Sequence, residues 1–135
     1  MKTILEYRLW AHHLDRSIEV IVIGGRLFKH SVVSVGAAAM EAIGQIHADT
    51  FFMGVTGVHL QTGLTTGDYE EAAVKRALSH AAAETIVLAS SEKLNAASPY
   101  KIVGLEEVSG LITERTADDA QIKPYQEFGI AVTCA

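Results

Sequence analysis

Residues 50–55 read TFFMGV, residues 84–89 read ETIVLA, and TGVHLQTGLTTGDYEEAAVKRALSHAAA fills positions 56–83 between them. Both short runs carry apolar residues consecutively, the mark of strands in a parallel sheet covered on both faces. The joining segment predicts a helix over 69–83. Asp68 is placed to cap it, with Glu71 as third helical residue in a capping box. Glu71 and Lys75 also form an i,i+4 pair in the favourable order. Strand, helix, strand makes a βαβ unit with a right-handed crossover. Residues 56–67 are the anomaly, because strand-to-helix connections usually take about 2–6 residues. This one is longer and rich in glycine and threonine.

The same alternation runs outward in both directions. Residues 2–14 read as a helix with Ile4, Leu5, Leu9 and Trp10 on one side, and IEVIVI (18–23) reads as a strand closed by Gly24 and Gly25. GAAAMEAIGQI (36–46) reads as a helix. KIVGL (101–105) and GLITE (110–114) read as weaker strands, 117–127 as a helix, and GIAVTCA (129–135) as a final strand. The expected fold class is α/β, a Rossmann-like doubly wound, mostly parallel sheet with helices on both faces. No linker, repeat or low-complexity run divides the 135 residues, so residues 1–135 are expected to be a single domain.

Composition narrows the function. With 49% hydrophobic and 20% charged residues the chain has the makings of a packed core. No apolar stretch reaches the roughly 18 residues of a membrane span, and Glu6 and Arg8 fall where a signal peptide needs an apolar centre. A soluble, cytoplasmic protein without a membrane partner is expected. The net charge of -5 argues against direct nucleic-acid contact by this chain, since duplex affinity comes largely from Lys and Arg on phosphates. Cys134 is the single cysteine and is read as a bystander thiol. His12, His13, His30, His47, His59 and His80 show no H-x-x-x-H or H-E-x-x-H spacing, so neither a metal nor another cofactor is expected. His59 alone, in the long connection, is placed to meet a ligand hydroxyl.

Parallel α/β sheets bind ligands beyond the carboxyl ends of their strands. Three segments are expected there: GGRLFKHS after 18–23, TGVHLQTGLTTG after 50–55, and SSEKLNAASPYK after 84–89. From them the candidate ligand-binding residues are Gly24, Gly25, Thr56, Gly57, Thr65, Thr66 and Lys93. Glycines admit close backbone approach, threonine hydroxyls and a helix N-terminus accept an oxyanion, and lysine supplies a point charge. The set suits a small phosphorylated metabolite. The glycines fit neither G-x-G-x-x-G nor G-x-x-x-x-G-K-[ST].

VIVIGGRL, VGAAAMEAI, ADTFFMGVTGV with GLTTGDYEEAAVKRAL, IVLASSEK and GLITE, in that order, resemble the carboxyl-terminal effector domain of DeoR-family bacterial transcriptional regulators. The similarity runs from about Ile18 onward and is most specific over Phe51–Leu78. It implies a fold similar to ribose-5-phosphate isomerase and a sensor for a phosphorylated sugar or related metabolite, controlling DNA binding elsewhere in the protomer. A homo-oligomer is expected separately, since without the family's first units the first helix or a sheet face would expose apolar surface. Nothing here corresponds to the family's winged helix-turn-helix, or to the strand and Gly-Thr-Thr-type phosphate loop that open its effector domain. The chain is therefore expected to be a partial effector domain.

The isomerase likeness sharpens the choice between sensor and enzyme. The isomerases carry their catalytic Glu in the helix after the long loop, and the similar stretch here, AAVKRAL, places Arg76 at that point. A guanidinium cannot shuttle the proton at neutral pH. The isomerase Asp-x-x-Lys step corresponds to SSEK, with Ser90 for the Asp and Lys93 retained. The expectation is a sensor and not an enzyme. The alternatives are a small sugar-phosphate isomerase-like enzyme using Glu70 or Glu71 as base, and a non-binding oligomerisation fragment.

Overall fold

The computed structural model describes Thr3–Ile4 and residues 19–135. Its centre is a five-stranded sheet of β1 (Thr3–Ile4), β4 (Ala48–Gly54), β7 (Ala82–Leu88), β9 (Gly110–Thr113) and β10 (Ala131–Cys134), in that spatial order. Every neighbouring pair is parallel. The α/β, Rossmann-like, mostly parallel architecture expected from the sequence is the one present.

Register explains why the core lies where it does. Phe51 sits opposite Thr85, and Met53 opposite Val87, which in turn faces Leu111. These side chains form one fully buried row, while Phe52, Ile86, Leu88 and Ile112 on the alternate row are half-buried. Helix α2 (Tyr69–Ala81) brings Ala72, Val74 and Leu78 to the same buried cluster as Phe51, Met53 and Val87, with Val74 and Leu78 at the i, i+4 spacing of one helical face. The Ser79 hydroxyl meets the Thr85 hydroxyl at 2.9 Å, fixing the end of α2 over β7.

Asp68 caps α2 as expected, its carboxylate accepting from the Glu71 amide at 3.0 Å. The reciprocal half of the capping box is absent. The Glu71 carboxylate turns inward to Lys75 at 2.7 Å, and both side chains are almost wholly buried. The i,i+4 pair expected from spacing is a core ion pair. Asp68→Ala is expected to cost about 1 kcal/mol of stability, as cap losses do, read by urea denaturation.

Two expectations are corrected, and one lies mostly outside the described residues. Residues 19–23, the described part of the strand expected over 18–23, form no strand, and Val20, Ile21 and Val22 are exposed. The chain becomes regular only at β2 (Arg26–Phe28), antiparallel to β3 (Val33–Val35), so β-branched content alone did not place 18–23 in the sheet. The helix expected over 2–14 falls on residues outside those described, except that Thr3–Ile4 is strand and pairs with Thr50 and Phe51. Third, the long connection is itself structured. It folds into a hairpin, β5 (Gly57–His59) and β6 (Gly63–Thr66), which β8 (Tyr100–Val103) extends to a three-stranded antiparallel sheet. KIVGL thus belongs to this second sheet.

The remaining helices are α1 (Ala37–Ile43) and α3 (Asp119–Phe128). Gly129, left-handed at φ 108°, ends α3. Among the described residues no helix is long and apolar enough to cross a membrane.

Candidate functional site

Two of the three segments expected at the carboxyl ends of strands are found there, and they touch. The hairpin leaves β4, the 89–99 segment leaves β7, and they meet at Thr56 and Ser98, whose hydroxyl oxygens lie 2.6 Å apart. The Ser98 amide donates to Thr65 Oγ1 at 2.8 Å. The Asn95 amide donates to the Val58 carbonyl at 2.7 Å, and Val58 forms an isolated bridge with Leu94. A connection that is long for a strand-to-helix loop is therefore one wall of a composite surface.

The candidate residues divide by exposure. Thr56 is exposed at the rim, whereas Gly57, Thr65 and Thr66 are buried within the hairpin. Gly57 owes its identity to packing: a Cβ there would lie 2.5 Å from both the Ala96 carbonyl oxygen and Thr65 Oγ1. Thr65 spends its hydroxyl on Ser98 and so shapes the wall. Lys93 is half-buried at the end of the 3-10 turn Ser91–Lys93. The start of that turn is acidic. Glu114 accepts from the Ser91 hydroxyl and amide, which hold its carboxyl below the usual range, and the Ser90 hydroxyl does the same for Glu92. Lys93 is the cationic end of this turn.

Gly24 and Gly25 are not brought to the hairpin by any described contact. Gly25, at φ 140°, packs where a Cβ would meet the Val35 carbonyl oxygen at 2.9 Å and Ala39 at 3.0 Å. Gly24 has open space around it. Arg26, next in line, bridges to Glu70 at 2.6 Å in the first turn of α2. This links the Gly24–Gly25 segment to the helix that follows the hairpin.

The residues considered for acid-base work have other occupations. Glu70 holds Arg26, and Glu71 holds Lys75, which also donates to the Gly54 carbonyl at 2.6 Å. Arg76 donates to the carbonyls of Ile102 and Lys101 at 2.8 and 2.7 Å, tying α2 to β8. His59 Nδ1 accepts from the amides of Gln61 and Thr62, capping its own turn. Among the described residues no group of three or more His, Cys, Asp or Glu is arranged to hold a metal.

Sequence spacing did not mark Ser98, Asn95 or Tyr125. Tyr125 of α3 is fully buried, and its hydroxyl lies 2.9 Å from the Val58 carbonyl oxygen and 3.1 Å from Asn95 Oδ1. Burial raises its pKa above the ordinary 10.0, partly offset by the Asn95 backbone hydrogen bond. As pH rises the unfolded chain loses this proton first. The stabilisation is complete below about pH 10 and is lost as pH climbs through the folded pKa. Tyr125→Phe is expected to weaken this alkaline loss, measured by thermal unfolding between pH 8 and 11.

A parallel α/β sheet with two interlocked segments at its carboxyl edge, one carrying a lysine, is an architecture whose members bind ligands at that edge. Residues 8–115 match the family described as the DeoR C terminal sensor domain, and the chain belongs to that family. It is 33% identical over 103 residues to the HTH-type transcriptional repressor GlcR of Bacillus subtilis, covering 76% of this chain and 40% of that protein. It is 30% identical over 119 residues to the HTH-type transcriptional regulator GolR of Listeria innocua, covering 88% of this chain and 47% of that one. A putative aga operon transcriptional repressor of Escherichia coli O157:H7 is 26% identical over 115 residues, 85% of this chain and 43% of its own length. The chain thus spans less than half the length of these relatives. Its family is a regulatory sensor domain of transcriptional regulators, and not an enzyme.

Proposed function

We propose that this chain senses a phosphorylated sugar or a closely related small anionic metabolite, and thereby controls DNA binding by a helix-turn-helix outside it. The observation that carries the reading is the meeting of the hairpin and the 89–99 segment beyond β4 and β7, with Lys93 in the same segment. Thr56 and Lys93 contact the ligand. Gly57, Thr65 and Thr66 set the shape of the wall, and Gly24 and Gly25, on the segment that Arg26 ties to Glu70 at the start of α2, offer their backbone to the same ligand. A regulator of transcription acts in the cytoplasm of a bacterial cell, and this chain would meet its metabolite there.

Thermal unfolding with a panel of sugar phosphates tests the reading. A metabolite at 100 times its dissociation constant stabilises the fold by about 2.7 kcal/mol, a shift of several degrees. Lys93→Ala is expected to abolish that shift with little change in the unliganded melting temperature. An undiminished shift in the variant rejects the assignment of Lys93.

The regulator is also proposed to self-associate. Val20, Ile21 and Val22 are 43%, 78% and 58% exposed, and a contiguous exposed apolar run marks an interaction surface. Sedimentation of wild type and Ile21→Asp checks this, with loss of the associated species expected in the variant.

A further inference from the structure

The Tyr125 hydroxyl stands where three segments meet. It donates to the Val58 carbonyl of the hairpin at 2.9 Å, accepts from the Asn95 amide at 3.0 Å, and lies 3.1 Å from Asn95 Oδ1. Asn95 holds a left-handed φ of 65°, a conformation that costs energy in a residue with a side chain and is here secured by those contacts. The phenol ring is anchored in the core, with Val58 and Leu94 in the same buried cluster. No other side chain among the described residues hydrogen-bonds both the hairpin and the 89–99 segment from a third element. Helix α3 then runs through Gly129 directly into β10, the edge strand of the parallel sheet.

We propose that Tyr125 is a positioning residue for the ligand site, latching the hairpin to the 89–99 segment and passing their state to α3 and β10. The proposal rests on the sensor reading only for what occupies the site. The latch itself belongs to the free chain. A ligand that draws Thr56 and Lys93 together tightens the Val58–Asn95 contact, and the hydroxyl shared between them holds α3 more firmly. Buried polar networks behave as units, so loss of one member loosens the others. A domain that reports occupancy to a distant DNA-binding half needs such an element, biased from both ends.

Hydrogen–deuterium exchange of the whole chain tests this without a ligand. Tyr125→Phe keeps the ring and removes the hydroxyl. It is expected to speed exchange about tenfold in 57–60, 94–98 and 119–128 together, leaving β4 and β7 unchanged. Asn95→Gly keeps the left-handed backbone and the amide that donates to the hydroxyl, removes only Oδ1, and is expected to leave 119–128 unchanged. Faster exchange confined to α3 in the first variant overturns the latch, and so does a loosening of α3 in the second as large as in the first, which would put the hydroxyl proton on Oδ1 and not on the Val58 carbonyl. A further arm adds glucose 6-phosphate and ribose 5-phosphate as probes. Protection of 119–128 in wild type that disappears in Tyr125→Phe supports transmission, and protection that stops at 56–66 and 89–99 overturns it. No protection by either probe tells against the sugar-phosphate reading, while the ligand-free arms still decide the latch.

Discussion

Lys75→Met is expected to destabilise the domain by about 3–5 kcal/mol, the cost of leaving one member of a buried ion pair without its counter-charge. Lys75 and Glu71 have side chains only 5% and 6% exposed and lie 2.7 Å apart. Methionine replaces the stem of the lysine but leaves the Glu71 carboxylate buried opposite a thioether. It also removes the 2.6 Å hydrogen bond to the carbonyl of Gly54, the last residue of β4, where the chain leaves the sheet for the hairpin. The double variant Glu71→Leu/Lys75→Met is expected to recover most of the loss, because a well-packed apolar pair often equals a buried ionic one. Urea denaturation of the three proteins measures this. Equal losses in the single and double variants would show that the lysine acts through its hydrogen bond to Gly54 and not by neutralising Glu71.

Gly57→Ala is expected to cost about 1–3 kcal/mol, the range for forcing extra volume into a filled site. The added Cβ meets the Ala96 carbonyl oxygen and Thr65 Oγ1, both at 2.5 Å, and neither is the end of a flexible side chain. Relief requires the hairpin to move away from the 89–99 segment, so ligand response should fall along with stability. Gly24→Ala is the control: nothing lies within 4 Å of a Cβ there, and the change is expected to be near neutral. Thermal unfolding of both variants, with the sugar-phosphate panel, compares two glycines assigned the same role from sequence.

The βαβ unit around 50–89 was legible because its signals agree with one another. Consecutive apolar residues, the Asp68 cap and the i,i+4 spacing of Glu71 and Lys75 all specify one local structure, and β4, α2 and β7 match it. Residues 18–23 show the limit of a single signal. An apolar β-branched run has strand propensity, but a strand also needs a neighbour to pair with, and sequence does not supply one. The hairpin was hidden for a related reason. Its register depends on β8, some 35 residues downstream, and its Gly and Thr content reads equally as an open loop.

At the site, residue types were legible but their orientation was not. Thr65 and Thr66 offer hydroxyls that composition cannot place inside or outside, and the second sheet buries both. Glu71 and Lys75 were correctly paired by spacing, yet their burial follows from the packing of α2 on β4. Tyr125 lies 67 residues from Val58 in sequence, so nothing local announces their hydrogen bond.

The central claim is that a small phosphorylated metabolite binds where the hairpin and the 89–99 segment meet. Titrating the isotope-labelled chain with the sugar phosphate that gives the largest thermal shift, and mapping backbone amide shifts by NMR, tests it most directly. The account predicts that the largest changes fall at Thr56, Gly57, Lys93 and Ser98, with a smaller set at Gly24 and Gly25. Changes concentrated elsewhere, such as the groove that Met40 and Ile43 of α1 and Ala77 and Ala81 of α2 line, would contradict it.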